Sequence, residues 1–207
     1  MPIGQVIWGV RDLEVTSALV ESEGLTVVDG GIHPGLGTAN RVVPLGESYL
    51  ELLGVVEESV ARQNQFGQSL LAATRDSDQL VRWSIRCFDI DSKCERLGLS
   101  AEQRTRLRPD GSLLTWRAAG LELSLRESWL PFFMQWDDAD QFPGSIAVRH
   151  ARGQCRISSL ELTPADPSRF ELWTAAELAL PTVLTLGPPG LHAVTIATDD
   201  GDIVFRS

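Results

Sequence analysis

The sequence predicts an α+β fold: a β-α-β-β-β unit, a second such unit, and a C-terminal β-α-β extension. Three observations carry this. Short runs rich in branched and aromatic residues alternate with Gly- and Asp-marked breaks. Apolar residues at helical spacing follow the first run. The order of elements over 3–55 then returns over 80–136, with little residue identity.

Residues 3–10 (IGQVIWGV) read as a strand. Asp12 is a helix N-cap, and the helix that follows, with Leu13, Val15, Ala18 and Leu19 at its apolar spacing, ends near Gly24. A short strand over 25–28 is broken by Asp29-Gly30-Gly31. Strands over 38–45 and 48–55 are joined at Gly46-Glu47. Residues 57–78 predict one or two connecting helices. A strand over 80–87 restarts the pattern, and Asp89 caps a helix running to Gly98. Strands over 104–108 and 112–118 flank a turn at Pro109-Asp110-Gly111, and PFFMQW (131–136) is the last strand of the second unit. Residues 138–155 read as loop. A strand at 156–162, a helix opening at Asp166-Pro167 and carrying Phe170, Leu172, Trp173 and Leu178, and strands at 182–186, 191–197 and 202–206 complete the extension. The chain thus divides into a first module (1–56), a helical connector (57–79), a second module (80–137) and a loop with extension (138–207), within one compact domain.

With 207 residues, 43% of them hydrophobic, the chain is long enough to bury a core without staples. Its formal net charge of −10 argues against nucleic acid and against an anionic membrane surface. The three cysteines, Cys87, Cys94 and Cys155, have no metal-binding spacing and read as free thiols. No basic, apolar leader opens the sequence and no run is long enough to span a membrane, so a cytoplasmic protein is expected.

One segment is specific. Gly30-Gly31-Ile32-His33-Pro34-Gly35-Leu36-Gly37-Thr38-Ala39-Asn40-Arg41 precedes Tyr49-Leu50-Glu51-Leu52-Leu53, and Val10-Arg11-Asp12-Leu13 stands at the first strand-to-helix junction. Pro131 to Asp137 and Phe142-Pro143-Gly144 through His150 follow in order. This arrangement resembles the glyoxalase-like family of the vicinal oxygen chelate superfamily over roughly residues 3–165. The resemblance implies that each module curls into half of a barrel-like sheet and that the two enclose a cleft. It also implies metal ligands on the first and fourth strands of each module. In the first module those positions are Gln5 and Glu51. In the second they fall at Leu80 or Val81, which cannot coordinate, and at Gln135. One charged ligand and no histidine make a poor divalent site, so no cofactor is expected, with a divalent metal as the alternative.

The residues themselves leave alternatives open. Strand alternation puts Tyr49 and Glu51 on one face and Leu50 and Leu52 on the other, under helices. Glu51 is then a base or ligand in the cleft, or the partner of a buried cation such as Arg86. Gln135 is expected to face the same cleft. His33 is a general base or the anchor of a Gly-rich turn. Asn40 binds ligand or caps its loop, Arg41 binds a substrate carboxylate or lies on the solvated face, and His150 reaches the cleft or the surface. Trp116 and Trp136, with Trp8 and Trp83, line an apolar pocket or pack in the core. Three functions follow: a lyase, isomerase or dioxygenase acting on a small molecule, a metal-free protein that sequesters one, or a degenerate module that serves assembly. A small-molecule ligand is the expected partner, and a homodimer stays open.

Overall fold

The computed structural model describes residues 3–107, 113–175 and 180–207. The turn at 109–111 and Leu178 lie outside them. The first module runs β1 (Ile3–Val10), α1 (Leu13–Ser22), β2 (Val28–His33), β3 (Thr38–Pro44) and β4 (Tyr49–Val55). Asp12 caps α1 by accepting from the backbone N–H of Glu14 and Val15. Helices α2 (Glu58–Ala61) and α3 (Gln65–Ala73) connect to the second module: β5 (Gln79–Arg86), α4 (Ile90–Leu97), β6 (Glu102–Leu107), β7 (Leu113–Ala119), α5 (Leu121–Arg126) and β8 (Phe132–Trp136). Asp89 caps α4, and Gly98, at φ 64°, ends it in the left-handed conformation.

Two expectations need correction. The second strand is not broken at Asp29-Gly30-Gly31 but runs through it, with a register shift between Asp29 and Gly31. The reason is close approach: a Cβ on Gly30 would lie 2.2 Å from Asn40 Oδ1. Helix α5 was not legible, because its six residues, LELSLR, are too few to show a helical period.

The eight strands form one sheet in the order β2-β3-β4-β1-β5-β8-β7-β6. The modules join where β1 and β5 pair antiparallel, and within each module the first and fourth strands pair parallel. The sheet curls until its two edges nearly meet, and Arg106 on β6 reaches across to Asn40 on β3.

The extension comprises β9 (Arg156–Thr163), α6 (Pro167–Thr174), β10 (Thr182–Leu184), β11 (Gly190–Thr198) and β12 (Gly201–Arg206), ordered β10-β9-β11-β12 in a second sheet. It covers the outer face of the curled sheet. Val6, Trp8, Leu50, Leu52, Trp83, Ile85 and Phe133 share one core with Leu160, Leu162, Val194, Ile196 and Trp173. Leu50 and Leu52 thus meet the second sheet as well as helices. Removing one such fully buried large side chain costs about 2–5 kcal/mol. Among the described residues no helix is long and apolar enough to cross a membrane.

Candidate functional site

Residues paired across neighbouring strands point to the same face of a sheet. On β1, Gln5 pairs with Tyr49 of β4 and Ser84 of β5, while Ile7 pairs with Glu51 and Arg82. Val6 and Trp8 belong to the outer core. The inner face therefore presents two rows, Tyr49-Gln5-Ser84 and Glu51-Ile7-Arg82.

Glu51 is buried. Gln5 Nε2 donates to its Oε2, and Asn40 Nδ2 donates to its Oε1 at 2.6 Å. Burial raises the Glu51 carboxyl above its usual range, against the Asn40 bond, the charge of Arg106, the Gln5 bond and the charge of Arg82. Asn40 is itself positioned, since its Oδ1 accepts from Arg106 at 2.8 Å. Tyr49 stays a neutral phenol, its pKa pushed well up by burial and then by Glu51. His33 bonds Thr38 Oγ1 at 2.9 Å, and burial with Arg106 lowers its pKa to about 4. It is therefore neutral at neutral pH. Two inner-face atoms, Gln5 Oε1 and Ser84 Oγ, are buried with no hydrogen-bond partner among the described residues. Such atoms are costly unless a ligand or water meets them.

The second module contributes rings and a cation. Trp116 and Trp136 stack with centroids 5.3 Å apart, and both pack with Phe132 and Met134 inside the sheet. Trp8 and Trp83 belong to the outer core instead. Arg82 lies over Phe132 at 4.9 Å and is tied to Ser124 Oγ and the Leu121 carbonyl on α5. Burial lowers it to about 10, so it remains charged.

A glyoxalase-like domain model matches residues 6–178. The chain belongs to the glyoxalase-like domain family. The expected resemblance therefore holds. No match was found among curated proteins. In structure the domain is similar to a hypothetical protein from Staphylococcus aureus, with a TM-score of 0.65 and 16% identity over 99% of this chain and 84% of that one. It is also similar, with a TM-score of 0.44 and 16% identity, to methylmalonyl-CoA epimerase from Mycobacterium tuberculosis, over 65% of this chain and 86% of that one. A variant of 4-hydroxymandelate synthase from Streptomyces coelicolor matches at 0.48 and 16%, over 100% and 63%. At 16% identity the first of these likenesses speaks to fold alone.

Strand pairing and the helix caps together locate the four positions that the resemblance implies. Glu51 stands two residues beyond the β4 partner of Gln5. In the second module Ser84 pairs with Phe132, so Phe132 stands two residues beyond the partner of Arg82. Ser84 with Met134 satisfies the same register, so the helix caps decide. Gln5 stands seven residues before the cap Asp12, and Arg82 seven before the cap Asp89. This makes Arg82 and Phe132 the counterparts of Gln5 and Glu51, rather than Leu80 or Val81 and Gln135. A guanidinium and a phenyl ring replace two donors, and no group of three His, Cys, Asp or Glu side chains among the described residues is placed to hold a metal. This donor set does not fit a divalent cation.

Four further expectations resolve. Gln135 faces the helix side of β8, where its Oε1 accepts from the Ile90 backbone N–H at the start of α4. Arg41 faces α1, bonded to Glu14 and Ser17 and paired with Asp29. His150 is buried outside the interior: Nδ1 accepts from the Thr26 N–H at 2.9 Å, and Nε2 donates to the Pro44 carbonyl at 2.8 Å. That is a structural staple with both nitrogens used. Arg86, expected beside Glu51, lies over the Phe142 ring at 4.1 Å.

Two hollows are prominent. The larger, about 580 Å³, lies outside the sheet between α1 and β2, and its Arg41 already pairs with Glu14 and Asp29. The smaller, about 270 Å³, opens between α3 and α5 and reaches Arg82. The second shares Phe66, Leu70 and Val81 with the inner cluster and the first shares Asn40 with the inner face, while Glu51 and Gln5 line neither.

Proposed function

We propose that this glyoxalase-like domain binds a small organic molecule inside its curled sheet and moves a proton on it through Glu51, without a metal. The observation that carries the reading is Glu51 itself. A buried carboxylate, held by two amides and raised above its usual range, shares the inner face with Gln5 Oε1 and Ser84 Oγ, which have no partner among the described residues. General acid–base groups are tuned toward working pH in this way. The amides orient the carboxylate, and each of its oxygens keeps a lone pair for a proton. Proton abstraction next to a carbonyl, as in an isomerase or lyase, is the chemistry that this needs. Trp116 and Trp136 supply the apolar wall.

The test is solvent-deuterium exchange at the carbon beside the carbonyl of two probes, neutral 1-phenylpropan-2-one and anionic phenylpyruvate, with binding followed by tryptophan fluorescence. Exchange should be catalysed for at least one probe and fall about 100-fold or more in Glu51→Gln, with binding retained. Saturable binding without exchange would favour the second reading, sequestration of the molecule, which the paired tryptophans support. No binding of either probe would sink both.

A further inference from the structure

The hollow between α3 and α5 carries a charge that the proton-transfer reading does not use. Its walls hold two cations, Arg82 and Arg126, and no acid, in a chain of net charge −10. The remaining lining is apolar or neutral, including Phe66, Leu70 and Gln79.

Arg82 is only 5% exposed. Its hydrogen bonds use Nε and Nη2, and both go to neutral acceptors, Ser124 Oγ and the Leu121 carbonyl. Among the described residues its Nη1 donates to nothing and no carboxylate pairs with it. The nearest inner-face acid is Glu51, two strands away across Ile7, roughly 10 Å at the backbone. A buried cation that makes no ion pair is costly, and the more distant charge of Glu51 with the faces of Phe66 and Phe132 offsets only part of that cost.

We infer that the ligand is a small monocarboxylic acid with an apolar body, and that Arg82 receives its carboxylate from the hollow between α3 and α5. The inference rests on the interior being the binding site. A planar guanidinium fork matches a carboxylate in shape and charge. One buried guanidinium balances one negative charge, which favours a carboxylate over a phosphate dianion. The size agrees, since an apolar cavity of about 150 Å³ accepts benzene and this hollow is about 270 Å³. The carbon skeleton then lies along Phe66, Leu70 and Val81, the apolar lining of the hollow. Arg126, exposed at the rim, draws the anion in.

Calorimetric titration with phenylacetate, phenylacetamide and phenyl phosphate tests this. Phenylacetate should bind about tenfold or more tighter than the amide, and Arg82→Gln should abolish that preference. Because Arg82 also ties down α5, Arg126→Glu is the second variant. It should weaken phenylacetate about threefold, leave the amide alone and leave the thermal midpoint unchanged. Equal affinity for acid and amide overturns the inference while leaving the interior-binding reading intact. Tighter phenyl phosphate overturns the choice of a monocarboxylate. No saturable binding of any probe at millimolar concentration overturns both readings.

Discussion

The two modules share an element order and part company on the inner face. The first lines it with hydrogen-bonding groups: Gln5, Asn40, Tyr49 and Glu51, with His33 at the edge. The second lines it with Arg82, Phe132, Met134, Trp116 and Trp136. At equivalent register positions an amide bonds a carboxylate in one module, and a guanidinium covers a ring in the other. The fold needs only that both inner faces be filled. Chemistry responds to which groups fill them, so a near-symmetric scaffold holds an asymmetric site, with an acid from one half and a cation from the other.

That asymmetry can be broken outright. The double variant Arg82→Gln with Phe132→Glu gives both modules the amide–carboxylate pair. Nickel or zinc should then raise its thermal midpoint and bind once per chain, whereas the parent should show neither effect. Metal binding to the parent at the same stoichiometry would mean that the modules are less different than their residues indicate. Next in size, Phe132→Ala removes the ring under Arg82 and should cost about 3–5 kcal/mol in urea denaturation. Gly30→Ala should cost about 1–3 kcal/mol, because its methyl would collide with Asn40 and part that side chain from Arg106. A tolerated alanine would show that the Gly pair is not what holds the first module's network.

The pH dependence sharpens the contrast further. His33 titrates at about 4 in the folded chain against an ordinary 6.5. Its contribution is present above about pH 6.5 and is lost as pH falls toward 4, so His33→Gln should flatten the acid limb of stability between those values. Glu51 is raised, so its contribution runs the other way. It is present at acid pH and is lost as pH rises through the ordinary carboxylate range toward the raised value. The smallest effect is expected at Arg41, where alanine should cost up to about 1 kcal/mol and leave ligand affinity unchanged, since that side chain pairs with Glu14 outside the sheet. A large loss of affinity there would move the site to the outer hollow.

Much of this was legible in the sequence. Strand alternation in Tyr49-Leu50-Glu51-Leu52-Leu53 separated the inner carboxylate from the outer leucines, and the motif from Gly30 to Arg41 pointed to the family. The caps at Asp12, Asp89 and Asp166 follow from local hydrogen bonding, which short stretches of chain decide for themselves. Alternation says which residues share a face, but it does not say which face curls inward. Gln135 therefore turns out on the other side of its strand from the cleft, while its neighbours Met134 and Trp136 lie inside. Of the two alternatives for Arg41 the outer side holds, while its neighbour Asn40 lies inside. Arg82 carries no signal of its own within the strand over 80–87. Only the β1–β5 register opposite Ile7, and a short helix folding over it, made it a buried cation. His150 could be assigned only once Thr26 and Pro44, 124 and 106 residues away in the chain, came to its two nitrogens. Sequence alone determined the element order and the family, because periodicity and turn chemistry are local. The tertiary structure decided which polar groups face the interior and which charge lacks a partner, because those are set by strand register and by contacts between distant segments.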